Sequence, residues 1–262
     1  MLLPGRSDLV LDGVLKDFVA NGYAKLGRVL SSEAAAVLRE RADALMLGEI
    51  QYPGLFYQHD SESGNYEDLE FGAGWVGPSR NYRKLEKLEL DPLFLEWIEN
   101  PLHRRIAQRL LGKKVSLYRA VLWNKASRAG MDLPWHQDDG VFWGIDRPPS
   151  LQIWTALDDA PESAGCVEVL PGSHHKGLAS PLGGTVRGDR LSEVDAEAGR
   201  VSLPVKAGES ILIHNHVWHR SGRNETAQAR RAIGIAYLAG DTRCTRKRRS
   251  PREFKRVFEE CE

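Results

Sequence analysis

The sequence predicts a mainly β chain, an antiparallel sandwich or barrel with helices gathered towards its N-terminus, and three observations carry that prediction. From residue 115 the apolar residues fall in runs of five to nine, VSLYRAVLW, LQIWTAL, GCVEVL, VSLPV, ESILI and RAIGIAYL, punctuated by Gly and Pro turns. Runs of that length are strands. No long helical pattern separates them, which argues against alternating βαβ units. Helical periodicity is instead a property of the front of the chain. With 262 residues, 42% hydrophobic and 27% charged, the chain is long and apolar enough for one domain with a sizeable buried core.

Taken in order, residues 1 to 114 are expected to form a mostly helical wrap with one loop. Ser31 and Ser32 precede Glu33 as a cap, and Ala34, Val37, Leu38, Ala42, Leu45 and Met46 then recur at helical spacing. Residues 49 to 84, rich in Gly, Tyr and Asp without a period, are expected to be a long loop. Asp91 and Pro92 open a second helical stretch that ends at Gly112, and Pro101 divides it in two. Residues 115 to 240 form the β core. Residues 241 to 262 are a tail: the basic run Arg243 to Arg249 reads as a solvated linker, and SPREFKRVFEE as a final short helix opened by Ser250 and Pro251.

Composition excludes several function classes. Thirty-six Lys and Arg balance thirty-six Asp and Glu, so nothing drives the chain by charge towards nucleic acid or an anionic membrane. No apolar run approaches the roughly 20 residues that span a bilayer. The start, MLLPGRSDLV, lacks the basic-then-apolar order of a secretory signal, so a cytoplasmic location is expected. Cys166, Cys244 and Cys261 have no paired spacing, which excludes a disulfide framework and a CxxC metal site.

The chemistry-bearing segment is Trp135-His136-Gln137-Asp138-Asp139. Alternate residues of an extended strand share a face, so His136 and Asp138 point one way and Gln137 the other. A second histidine would complete a two-His-one-carboxylate triad with open positions, the set that suits an oxygen-activating iron. Candidates are His214, His216 and His219. Arg230 lies eleven residues past His219, and a connection centred on SGRNETAQ would fold RAIGIAYL back against the preceding strand, with 219 and 230 roughly opposite. A guanidinium there would suit bidentate capture of a carboxylate, which favours His219. The alternative for Arg230 is a surface arginine of the Arg230-Arg231 pair.

The series WHQD, IWTALDDAPESAGCVEVLPGSH, HRSGRN and the arginine eleven residues past the histidine resembles the phytanoyl-CoA dioxygenase family of iron(II)- and 2-oxoglutarate-dependent oxygenases, over about residues 115 to 240. The resemblance implies a double-stranded β-helix, a cupin-like jelly roll flanked by N-terminal helices. It implies iron(II) held by His136, Asp138 and His219, with 2-oxoglutarate as co-substrate and dioxygen as oxidant. It makes Arg230 the anchor of the far carboxylate, assisted by Ser221, and Asn124 resembles the family's Asn on the strand before the HxD, which reaches the co-substrate. Trp154 resembles an aromatic lining the same pocket, with a core tryptophan as the alternative. Pro171 to His174 matches the family's turn signature, while Gly165 belongs to a tight turn and Cys166 to a buried strand.

Such a site hydroxylates C–H bonds, with cyclisation or desaturation open to the same chemistry, and the carboxylate of Asp138 argues against halogenation. A jelly-roll metal-binding protein without oxygenase activity and a zinc hydrolase are the competing readings; neither needs a carboxylate anchor beside the metal. For the substrate, Trp135, Asp139 and Trp143 around the HxD turn are the candidate walls, with Phe142, Tyr57 and Tyr82 as further aromatics that could equally be core. An acyl-CoA would call for clustered cations near the pocket mouth. The neutral chain points instead to a small polar metabolite or natural-product intermediate.

Overall fold

A computed structural model describes residues 8–61, 63–70, 74–247 and 252–259. The front of the chain carries α1 (Asp8–Asn21), β1 (Tyr23–Arg28), α2 (Ser32–Leu47), β2 (Phe56–His59), β3 (Tyr82–Glu86), α3 (Pro92–Ile98) and α4 (Pro101–Leu111). Helix starts follow the expected chemistry. The Ser31 hydroxyl accepts the Ala34 N–H at 3.2 Å, and Asp91 accepts from Leu93 and Phe94 ahead of Pro92. Asn100 caps α4 by accepting the Leu102 N–H, so the break at Pro101 is a second, independently capped helix start.

The β core follows as β4 (Val115–Lys125), β5 (Leu133–Gln137), β6 (Leu151–Ala156), β7 (Val167–Leu170) and β8 (Gly184–Thr185). Two short helices, α5 (Gly188–Glu193) and α6 (Ala196–Gly199), lead to β9 (Val201–Leu203), β10 (Glu209–Ile213), β11 (Trp218–Ser221), β12 (Arg230–Ala239) and β13 (Arg256–Phe258). Among the described residues these strands form two antiparallel sheets. The larger runs β1-β10-β6-β12-β4-β3-β2, with β13 also on β4, and the smaller runs β8-β5-β11-β7-β9.

Strand alternation builds two cores. Ile211, Ile213, Trp154 and Ala232 point between the sheets, where they meet Val167, Val169 and Leu203 of the smaller one. Leu212, Ile153, Ile233 and Ile235 point outward and pack under α2, α3 and α4 with Leu38, Leu45, Phe94 and Ile106. The central strands of the large sheet are thus covered on both faces, which is why they read as nearly continuous apolar runs.

Four expectations are corrected. The front is not simply helical, because β1, β2 and β3 join the large sheet. Residues 49 to 84 are not one loop: β2 and β3 pair with each other, and β3 with β4. The expected terminal helix is a strand, β13, on the edge of β4, while Ser250 and Pro251 lie outside the described residues. The expected hairpin between β11 and β12 does not form: β11 pairs with β5 and β7, whereas β12 pairs with β4 and β6. The SGRNETAQ connection crosses from one sheet to the other, so Arg230 sits opposite Lys125 instead of His219. No helix among the described residues is long and apolar enough to cross a membrane.

Candidate metal centre

β5 and β11 are neighbours, and their register sets His136 directly opposite His219. The two imidazole centroids are 4.0 Å apart. Asp138, one residue past the end of β5, brings Oδ2 to 3.6 Å from His219 Nε2, and one ligand atom from each of the three residues lies within 4.8 Å of the others. Each Nδ1 faces a main-chain carbonyl two residues upstream, His136 that of Pro134 and His219 that of Val217, both at 2.9 Å. A carbonyl only accepts, so each Nδ1 is the donor and each Nε2 keeps its lone pair for a metal.

The carboxylate is held from both sides. Arg119 donates to Asp138 Oδ1 at 3.0 Å and Gln152 donates to Oδ2 at 2.9 Å. Burial alone would raise the Asp138 pKa, but the Arg119 guanidinium outweighs it and holds the group well below the usual carboxylate range. Burial, reinforced by His219, pushes His136 down to about 3, so the imidazole is neutral and ready to ligate. The turn after Asp138 closes because Gly183 has φ +71° and a Cβ there would stand 1.7 Å from the Asp139 carbonyl oxygen. No side chain fits that crossing.

The cavity over these ligands continues between the sheets to Arg230, which is 3% exposed. Its guanidinium donates to the Gly165 carbonyl at 3.2 Å and lies 5.6 Å from the Trp154 ring, while its Nε is buried with no partner. Burial pushes its pKa down to about 10. Asn124 borders the same cavity, but its amide alternates to the outer face of β4 with Leu122, where it donates to the carbonyls of Arg80 and Tyr82, at 2.9 and 2.8 Å, and lies against Met46 of α2; the expected reach of this side chain to the co-substrate is corrected. Ser221 and Gly234 complete that end. Two imidazoles around one carboxylate suit a divalent metal, and a buried guanidinium with a free N–H suits a carboxylate ligand. The residues present therefore fit both iron and 2-oxoglutarate.

The structure brings His136, Asp138, His219, Arg230, Ser221 and Trp154 to one cavity, while Asn124 borders it with its amide turned to the outer face. It does not bring the expected substrate walls there. Trp135 alternates to the opposite face, packs with Leu170, Val186 and Trp218, and lies under the Arg220 guanidinium. Asp139 is engaged by His216 at 2.7 Å. Trp143 stacks on Tyr118 with centroids 4.0 Å apart and supports Arg119 from a separate depression. Tyr57 and Tyr82 belong to the outer core, and Phe142 is exposed. His214 sits by Phe18 and His174, away from the three ligands. Sequence reasoning missed Arg119 and Gln152, although a lone arginine inside VSLYRAVLW is a signal for a buried charge that needs a partner. It also missed Trp123, Asp60 and Arg83, which line the cavity from β4, from the residue after β2, and from β3.

The family model for phytanoyl-CoA dioxygenase (PhyH) matches residues 18–232. A protein of Oryza sativa subsp. japonica named phytanoyl-CoA dioxygenase 1 is 25% identical over 249 residues, covering 86% of this chain and 87% of its own. L-proline trans-4-hydroxylase of Streptomyces griseoviridis is 31% identical over 155 residues, which is 50% of this chain and 58% of that enzyme. Among solved structures, the epimerase SnoN in complex with Fe3+, alpha ketoglutarate and nogalamycin RO superposes with a TM-score of 0.72 at 18% identity, covering 92% of this chain and 88% of that one. That likeness gives the fold.

Proposed function

From the premise that this chain belongs to the phytanoyl-CoA dioxygenase family, we propose that it is a non-haem iron(II)- and 2-oxoglutarate-dependent dioxygenase that hydroxylates a small polar metabolite or natural-product intermediate. The observation that carries the reading is the pairing, in one cavity, of a prearranged two-His-one-carboxylate set with a buried arginine that lacks a partner. His136, Asp138 and His219 would hold the metal. Arg230 and Ser221 would take the far carboxylate of 2-oxoglutarate, with the Trp154 face on its flank. Iron bound there supplies, with 2-oxoglutarate and dioxygen, the oxidant for C–H hydroxylation.

The chain's own residues do the rest. Arg119 and Gln152 fix the Asp138 carboxylate so that it does not swing on ligation. Trp123, Asp60 and Arg83 replace Trp135, Asp139 and Trp143 as the proposed substrate walls. A wall that offers a carboxylate, a guanidinium and an indole suits a compact ligand with polar groups. The relative that acts on L-proline supports the same class, whereas the relatives named for phytanoyl-CoA support a thioester. A zinc hydrolase or a purely structural metal would leave the Arg230 Nε without a role.

The test is succinate release by the iron-loaded protein with amino acids, small amines, polyols and acyl-CoAs assayed side by side. Coupling to a small polar compound is expected. Coupling to an acyl-CoA alone overturns the substrate class, and no 2-oxoglutarate turnover with any compound, together with no 2-oxoglutarate binding, overturns the oxygenase reading.

A further inference from the structure

Two basic side chains lie side by side at the end of the cavity away from the metal, and only one of them is part of the carboxylate anchor described above. Lys125 closes β4 directly opposite Arg230 on β12, lines the same cavity and is 7% exposed. Its Nζ donates to the carbonyls of Met131, at 2.5 Å, and Ser221, at 3.4 Å. Among the described residues neither Lys125 nor Arg230 forms an ion pair with a carboxylate. Two cations buried together with only carbonyl partners are costly, because each opposes the other and carbonyl dipoles offset only part of the lost hydration.

We propose that Lys125 shares with Arg230 the role of counter-charge to the far carboxylate of 2-oxoglutarate, and that binding of the co-substrate delivers a proton to its Nζ. This rests on the 2-oxoglutarate reading of the site. The groups facing Lys125 are Arg230 from β12, Arg83 from β3, Asp60 from the residue after β2, and Asp132 from the segment before β5. Asp60 accepts the Met131 N–H on Oδ2 at 3.2 Å and keeps a buried, unpartnered Oδ1, so it offsets part of the charge of Arg83 and Lys125 without pairing with Lys125, and Asp132 is exposed and screened by water. Burial, with Arg230 next in weight, holds the amine well below the usual lysine range in the empty cavity. A lysine can answer this by giving up its proton, which an arginine does not. An incoming carboxylate reverses the balance: the Nζ lone pair takes a proton from the buffer, and one ammonium then faces one carboxylate oxygen.

The experiment is calorimetric titration of 2-oxoglutarate into the anaerobic iron-loaded protein at pH 7.5, in two buffers of different ionisation enthalpy. The wild type should take up protons from the buffer on binding, so that the apparent enthalpy differs between the two buffers. Lys125→Met should bind roughly tenfold more weakly, with no uptake. Lys125→Arg should bind within a few-fold of wild type, also without uptake, since its guanidinium is charged in both states. A lysine that merely staples two carbonyls would give none of this pattern. Wild-type binding without buffer dependence, or proton uptake that persists in either variant, overturns the proposal and leaves the 2-oxoglutarate reading intact. Absence of any binding by the wild type overturns that reading itself.

Discussion

At one end of the cavity both oxygens of Asp138 and both imidazole Nδ1 atoms have protein partners, whereas at the other the Nε of Arg230 has none. The difference is one of preorganisation. The metal end has charges of both signs, Asp138 against Arg119, and is settled before a ligand arrives. The far end holds cations whose partner has to come from outside. A small ligand set can be fixed in advance by main-chain carbonyls and one ion pair, but a site for a mobile dianion must keep its hydrogen-bonding capacity free.

Removing ligands should break the metal end completely. His136→Ala and His219→Ala are each expected to abolish turnover and bound iron, while His214→Ala and His216→Ala keep most of both. Iron stoichiometry after anaerobic loading decides this, and loss of iron in His216→Ala but not in His219→Ala would relocate the site.

The next effect separates the two ends by stability. Arg119→Met strands the buried Asp138 charge, which should cost about 3–5 kcal/mol in the metal-free protein. Much of that loss should return on metal binding, because the cation replaces the guanidinium. Denaturant unfolding with and without metal is the measurement, and an equal loss in both states would mean that Arg119 serves the fold instead of the carboxylate.

Arg230→Met probes the opposite case. Since Arg230 has one carbonyl partner and an orphaned Nε, the variant should leave metal-free stability nearly unchanged or slightly raised. It should nonetheless raise the 2-oxoglutarate requirement by about 10- to 150-fold, the equivalent of roughly 1.5–3 kcal/mol, with iron binding intact. An unchanged requirement would move the anchor away from Arg230.

The same contrast explains what the sequence made legible. The strands covered on both faces, such as β6, β10 and β12, announce themselves as apolar runs, and two of the ligands follow from the HxD step at the end of β5 in the smaller sheet. β1, β2, β3 and β13 did not, because they carry polar residues such as Lys25, Lys84 and Arg256 in place of an apolar run, and β1, β3 and β13 join the large sheet through strands distant in the chain. Sheet membership was equally hidden: SGRNETAQ looks like a hairpin loop, and only the packing of two sheets shows that it is a crossover. Arg230 was placed in the cavity for a local reason that does not hold, since it reaches His219's neighbourhood across the sandwich and not along a ladder. Trp135 and Trp143 flank the HxD in sequence, yet the alternation that aims His136 and Asp138 inward carries Trp135 out.

The smallest expected effect is a slope. In the metal-free protein His136 is held near 3 by burial and by His219, against about 6.5 in the unfolded chain. Between those values the unfolded state binds the extra proton and the native state does not, so stability is complete above about pH 6.5 and falls as the pH drops towards 3. His136 alone should contribute about 1.4 kcal/mol per pH unit in that window. Other buried imidazoles such as His103, also pushed down to about 3, add slopes of the same sign, so the comparison has to be made within a pair of proteins. Unfolding of wild type and His136→Gln at pH 6 and pH 5, without metal, isolates it: the wild type should lose about 1.4 kcal/mol more than the variant. Equal slopes in wild type and His136→Gln would mean that the native fold accepts the proton on His136, and that the metal end is less rigid than its hydrogen bonds imply.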